Sequence, residues 1–122
     1  MSGHLEDDAY RRLLSSLHGD DAATRRFIHD FVALWEDRAH RLTGDLYRRD
    51  WEDADVVLLS IRSSSQMVGA RALRTIADRV HQGVRGFDLD ECLAHLQKLH
   101  DVGRGTCREL AELVARLGPA LP

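Results

Sequence analysis

Proline is almost absent from this chain: Pro119 and Pro122, both at the tail, are the two that 122 residues contain. Nothing upstream of them interrupts a helix by removing a backbone donor. Lysine is scarcer still, with Lys98 alone, so arginine carries nearly all the positive charge. The two cysteines, Cys92 and Cys107, form no CxxC pair and no disulfide framework. On one continuous helix they would lie about 22 Å apart, too far to bond to each other. No apolar run approaches the length needed to span a bilayer, and the opening MSGHLEDD is acidic, unlike a signal sequence. A net charge of −3 gives no basic footprint for nucleic acid. The expectation is a cytoplasmic protein with no membrane and no nucleic-acid partner.

The chain has the composition of a globular protein, with 43% hydrophobic and 30% charged residues, and its length suits one domain over residues 1–122. No alternating β-branched run is present, and the apolar residues recur at helical spacing. Leu5, Ala9, Leu13, Leu14 and Leu17 predict a short first helix over about 5–18. Gly19 then ends it, and Asp20-Asp21 offer an N-cap. A long helix over about 21–49 follows, with Phe27, Phe31, Leu34, Trp35, Leu42 and Leu46 as its core stripe. Gly44 inside it costs about 1 kcal/mol against alanine and marks a possible bend. Asp50 breaks to a third helix, about 51–67. A fourth, about 70–82, turns Leu73, Ile76, Ala77 and Val80 inward. Gly83 and Gly86 bracket a loop. The last helix, about 89–117, carries an apolar stripe from Leu89 to Leu117, with Gly103 and Gly105 as its weak point. The expected fold class is all-α: an up-down-up-down four-helix bundle over about 21–117, with an N-terminal capping helix.

The third helix is the informative stretch. Its inward side reads Ala54, Val57, Leu58, Ile61, Ser65 and Val68. Val56, Leu59, Ser63, Gln66 and Met67 lie outside, so apolar side chains occupy positions where an exposed helix normally carries charge. Such a face calls for a covering element or a partner. The first helix folding over Val56 and Leu59 is one such cover; a second copy of the chain is another.

Leu58-Leu59-Ser60-Ile61-Arg62-Ser63-Ser64-Ser65, followed by Met67-Val68-Gly69-Ala70 and Leu73, resembles the core motif of the histidine-containing phosphotransfer (HPt) domains of bacterial phosphorelays. The likeness lies in the basic residue, the serines and the Gly-Ala pair. It fails where the chemistry occurs: the family's phosphorylated histidine falls at Leu59, and the glycine after the basic residue is Ser63. The resemblance implies the family's bundle without its reaction, no enzymatic activity and no cofactor. It also implies a docking face of Val56, Leu59, Arg62, Ser63, Gln66 and Met67 for a response-regulator receiver domain or a histidine kinase. Arg62 stands where the family has a lysine beside the phosphohistidine.

Other histidines offer alternatives. Ala39-His40-Arg41-Leu42-Thr43-Gly44 imitates the same motif, but Asp45-Leu46 replace its serines and no Gly-Ala follows. His29-Asp30 resembles the His-Asp pair of some histidine kinase dimerisation helices, where an adjacent acid orients the imidazole. His40 and His29 are therefore the alternative phosphoacceptors. They are about 16 Å apart along one helix, too far to share an ion. Glu91 and His95, at i and i+4, supply at most two ligands, so no metal site is expected.

Overall fold

The computed structural model describes residues 3–119. Among the described residues it is all-helical: α1 (Ala9–Ser16), α2 (Asp21–Arg48), α3 (Trp51–Met67), α4 (Arg71–Arg85) and α5 (Leu89–Leu117). None of these helices is long and apolar enough to cross a membrane.

The three longest helices start on an aspartate. Asp20 accepts the Ala23 N–H, Asp50 that of Asp53, and Asp88 that of Glu91. Each such cap satisfies an otherwise orphaned donor and stabilises by about 1 kcal/mol. Helix α4 differs, because its N-cap is Ala70, which makes no side-chain cap bond to the first turn. The ends of α1 to α4 share one device, in which an N–H just beyond the helix reaches the carbonyl five residues back. The pairs are Gly19 to Leu14, Asp50 to Asp45, Ala70 to Ser65 and Asp88 to Gly83. The left-handed residue in each turn is His18, Arg49, Gly69 or Phe87. At Gly69 a side chain is excluded twice, by a φ of +70° and by Ala9, whose Cβ would lie 2.8 Å from an added Cβ. The Gly-Ala pair of the motif thus ends α3 and seats α1.

Helix α3 packs against α2 and α4, and α5 packs against the same two. The shared core holds Phe31, Trp35, Leu42 and Leu46 from α2, Leu58 and Ile61 from α3, Leu73 and Val80 from α4, and Leu99 and Leu110 from α5. A fully buried leucine or isoleucine contributes about 1.5–3 kcal/mol.

Several expectations need correction. The first helix begins at Ala9, and residues 3–8 run as a strap whose Glu6 N–H bonds the Gly69 carbonyl at 2.9 Å. The fourth helix runs on through Gly83 to Arg85. Gly44 does not interrupt α2, and Gly103 and Gly105 do not interrupt α5. The two α5 glycines admit other groups instead: a Cβ at Gly103 would lie 1.8 Å from Trp35 Cζ2, and one at Gly105 would lie 2.3 Å from His4 Nε2. Leu34 leaves the core stripe and is 43% exposed. It sits about 100° around the helix from Trp35, which takes the inward position.

Candidate interaction surface on the third helix

The inward side of α3 is as expected: Ala54, Val57, Leu58, Ile61, Ser65 and Val68 are all buried. On the other side Val56 and Leu59 are 54% and 45% exposed, and Ser63 is exposed with them. Helix α1 covers neither leucine nor valine. It packs on α2 and on the Gly69 turn. Val56, Leu59 and Ser63 follow one another at i, i+3 and i+7, so they form one ridge along the helix.

Polar pairs border this ridge on both sides. Toward α2, the Arg41 guanidinium grips the Asp53 carboxylate, with Nε to Oδ2 at 2.8 Å, and Arg38 donates to Ser64 Oγ at 3.3 Å. Toward α4, Arg62 forms an ion pair with Asp78 and donates to His81 Nδ1 at 3.0 Å. His81 Nε2 in turn donates to Asp55. These partners select the tautomer with hydrogen on Nε2. Gln66 Oε1 accepts from Arg74.

The expected docking residues are therefore not equivalent. Val56, Leu59 and Ser63 stand free on the ridge. Gln66 is exposed but tied to Arg74, and Arg62 is half-buried with its charge balanced by Asp78. Met67 is not an outward residue: it is half-buried and packed on the core, because it lies past the ridge toward the bundle and its flexible thioether reaches inward. The three serines divide their tasks. Ser63 points out, Ser64 bonds back to the Ser60 carbonyl and meets Arg38, and Ser65 is fully buried.

His40 and His29 are both exposed on α2. Glu91 and His95 form an i, i+4 contact at 3.0 Å. Among the described residues no group of three His, Cys, Asp or Glu side chains is placed to hold a metal ion. Both cysteines are free, and burial pushes each thiol up to about 11, so neither is a nucleophile near neutral pH.

Sequence reasoning missed three polar groups. His81 is 5% exposed, yet it joins α3 to α4. Its signal was the Asp78 and His81 spacing of i, i+3 on α4, opposite Asp55 and Arg62 at i, i+7 on α3. His100 meets Thr43 Oγ1 at 2.9 Å, and burial, then the nearby Arg104, lowers its pKa. Asp45 is 1% exposed at the α2–α3 turn. Burial, then its neighbour Asp53, raises its carboxyl to about 6, while hydrogen bonds from Arg41 and Asp45 hold Asp53 at about 2.

Comparison of the chain with protein-family models, with curated proteins and with solved structures finds no match.

Proposed function

We propose that this chain is an HPt-like docking module that lacks the phosphoacceptor imidazole. In this reading α2 to α5 form the up-down-up-down bundle of such domains, with α1 as the cap. Contacts between neighbours support it, since they run in opposite sequence directions. Glu36 and Thr43 of α2 meet Arg104 and His100 of α5. Asp55 and Gln66 of α3 meet His81 and Arg74 of α4.

The partner is a response-regulator receiver domain or a histidine kinase, held on the Val56, Leu59 and Ser63 ridge. The observation that carries the reading is Leu59. It occupies the motif's acceptor position, has no nitrogen to phosphorylate, and stands 45% exposed on a ridge that no other element among the described residues covers. An exposed aliphatic side chain at the centre of a docking face anchors a partner by burial, where an imidazole would have reacted. Ser63 leaves space for the partner backbone to approach. Arg62 exchanges Asp78 for a carboxylate of the partner.

The test is binding of the purified chain to receiver domains and kinase helix pairs from its own genome. Leu59→Asp and Ser63→Arg should each weaken binding by about tenfold or more. Equal binding by wild type and both variants removes this ridge from the reading. A concentration-dependent dimer abolished by Leu59→Asp would assign the ridge to a second copy instead. Acid-labile phosphate gained from a phosphorylated receiver, and lost in His40→Ala or His29→Ala, would replace docking with phosphotransfer at those histidines.

A further inference from the structure

The start of α4 differs from the other long helices in having no side-chain cap. The N–H groups of its first turn therefore have no side-chain acceptor from the N-cap, and the helix dipole adds partial positive charge there. A cleft of about 300 Å³ opens at this point, lined by Glu6, Arg12, Ser65, Gln66, Gly69, Ala70, Arg71 and Arg74. Three arginines, Arg12, Arg71 and Arg74, thus line one cleft at this helix start. Arg74 has only the neutral Gln66 amide as a partner among the described residues. Ser65, a residue of the cleft lining, is fully buried, and its hydroxyl has no hydrogen-bond partner among the described residues. A buried hydroxyl without a partner is destabilising, so the place of Ser65 in the wall of a cationic cleft points to an absent acceptor.

One anion already reaches the cleft. The strap delivers the Glu6 carboxylate, whose Oε1 accepts from Arg71 Nε at 3.1 Å and from Nη2 at 2.9 Å. Its Oε2 accepts from Arg12. Asp8 lies 3.8 Å from Arg12 on the outer side. Against Arg12, Arg71 and Arg74, these two carboxylates leave the site positive. Glu6 also leaves Arg74 and Ser65 unbound, so it fills the site only in part.

We propose that this cleft binds a phosphate group, held by the α4 N-terminus, Arg71, Arg74 and the Ser65 hydroxyl, and that Glu6 of the strap is its built-in competitor. A phosphate has the charge and the number of acceptors that a single carboxylate lacks, and arginine pairs with it in fork geometry. Ligand entry displaces Glu6, which loosens the strap where its backbone is bonded to Gly69. The proposal does not depend on the docking reading, since it uses a different part of the α3–α4 junction.

The experiment is an amide NMR titration of the full chain with inorganic phosphate at constant ionic strength. Saturable shifts centred on Arg71, Ala72 and Leu73 are expected. Arg74→Ala, at an exposed position, should weaken binding about tenfold, and Ser65→Ala by about three- to tenfold. Glu6→Gln should tighten it about fivefold or more by removing the competitor. A parallel titration with free phosphoserine distinguishes a phosphate monoester, if it binds tighter, from phosphate itself. Shifts that fail to saturate or spread over arginines elsewhere overturn the proposal, as does an affinity unmoved by Arg74→Ala or by Glu6→Gln.

Discussion

Helices α3 and α5 flank the same two neighbours, α2 and α4, by opposite means. Helix α5 makes two polar contacts to α2, Arg104 with Glu36 and His100 with Thr43, but its register is set by shape. Gly103 admits the Trp35 ring from α2, and Gly83 of α4 admits Cys92, whose Sγ would lie 2.7 Å from an added Cβ. Helix α3 is held at its rims by polar pairs: Arg41 with Asp53, Arg38 with Ser64, His81 with Asp55, and Arg62 with Asp78. A notch filled by a buried ring has one solution, because close-packed interiors transmit strain. A half-exposed ion pair has several, since its partners can be exchanged for water or for another carboxylate at small net cost. The contrast places the adaptable surface on α3 and the rigid reference on α5.

The strongest way to break this comparison is Gly103→Ala. The added methyl would overlap Trp35, which is 2% exposed and has nowhere to move. A loss of about 3 kcal/mol in urea unfolding is expected. A variant as stable as wild type would show that α5 is not registered by shape.

A smaller effect is expected on the polar side. His81→Ala removes the group that Asp55 and Arg62 share, and should cost about 2 kcal/mol. A double-mutant cycle with Asp55→Ala should return a coupling above about 0.5 kcal/mol, as residues in one network do. Strict additivity of the two variants would mean that the α3–α4 pairs stabilise nothing jointly.

The smallest effect sharpens the comparison at the α2–α3 turn. Asp45 has its carboxyl raised to about 6 in the folded chain, against an ordinary 3.8, because it is buried beside Asp53 and Asp50, with Arg48 opposing. Its contribution is therefore fully present below pH 3.8 and is lost as pH rises through about 6. Asp53, gripped by Arg41 and held at about 2, acts in the reverse sense: its contribution is present above 3.8 and is lost as pH falls toward 2. Asp45 Oδ2 has no partner unless it carries a proton, and Arg48 already occupies Oδ1. Wild type is therefore expected to lose stability between pH 4 and pH 6, and Asp45→Asn should remove that decline, measured by chemical unfolding across that window. A parallel pH profile for both proteins would place the titration elsewhere.

Much of this was legible in advance. The bounds of α3 match those expected, and all six of its inward positions are buried, because an amphipathic pattern over several turns leaves one solution for which side faces the core. Asp20 and Asp50 start helices where the sequence places the breaks, as their side chains dictate locally. Leu34 misled because a leucine adjacent to Trp35 fits a stripe by spacing but not by angle. The glycines of α5 misled more, since a glycine in a helix reads as a cost until the ring that occupies its space is known. Among the site residues, the outward direction of Val56, Leu59 and Ser63 followed from helical spacing. The commitment of Arg62 and Gln66 to α4 did not, because it depends on the register of one helix against another.

The amino-acid order by itself determined that this chain is helical, where most of its helices begin and end, and that a hydrocarbon side chain stands at the middle of the α3 ridge. These are local properties, written in propensity, capping and period. Only the tertiary structure decided that Trp35 lies on Gly103, that His81 ties α3 to α4, and that three arginines line one cleft with Ser65 at a helix start whose N-cap has no side-chain bond. Each of those joins residues far apart in the chain, and contacts of that kind are set by how the helices slide and turn against one another, which no single segment encodes.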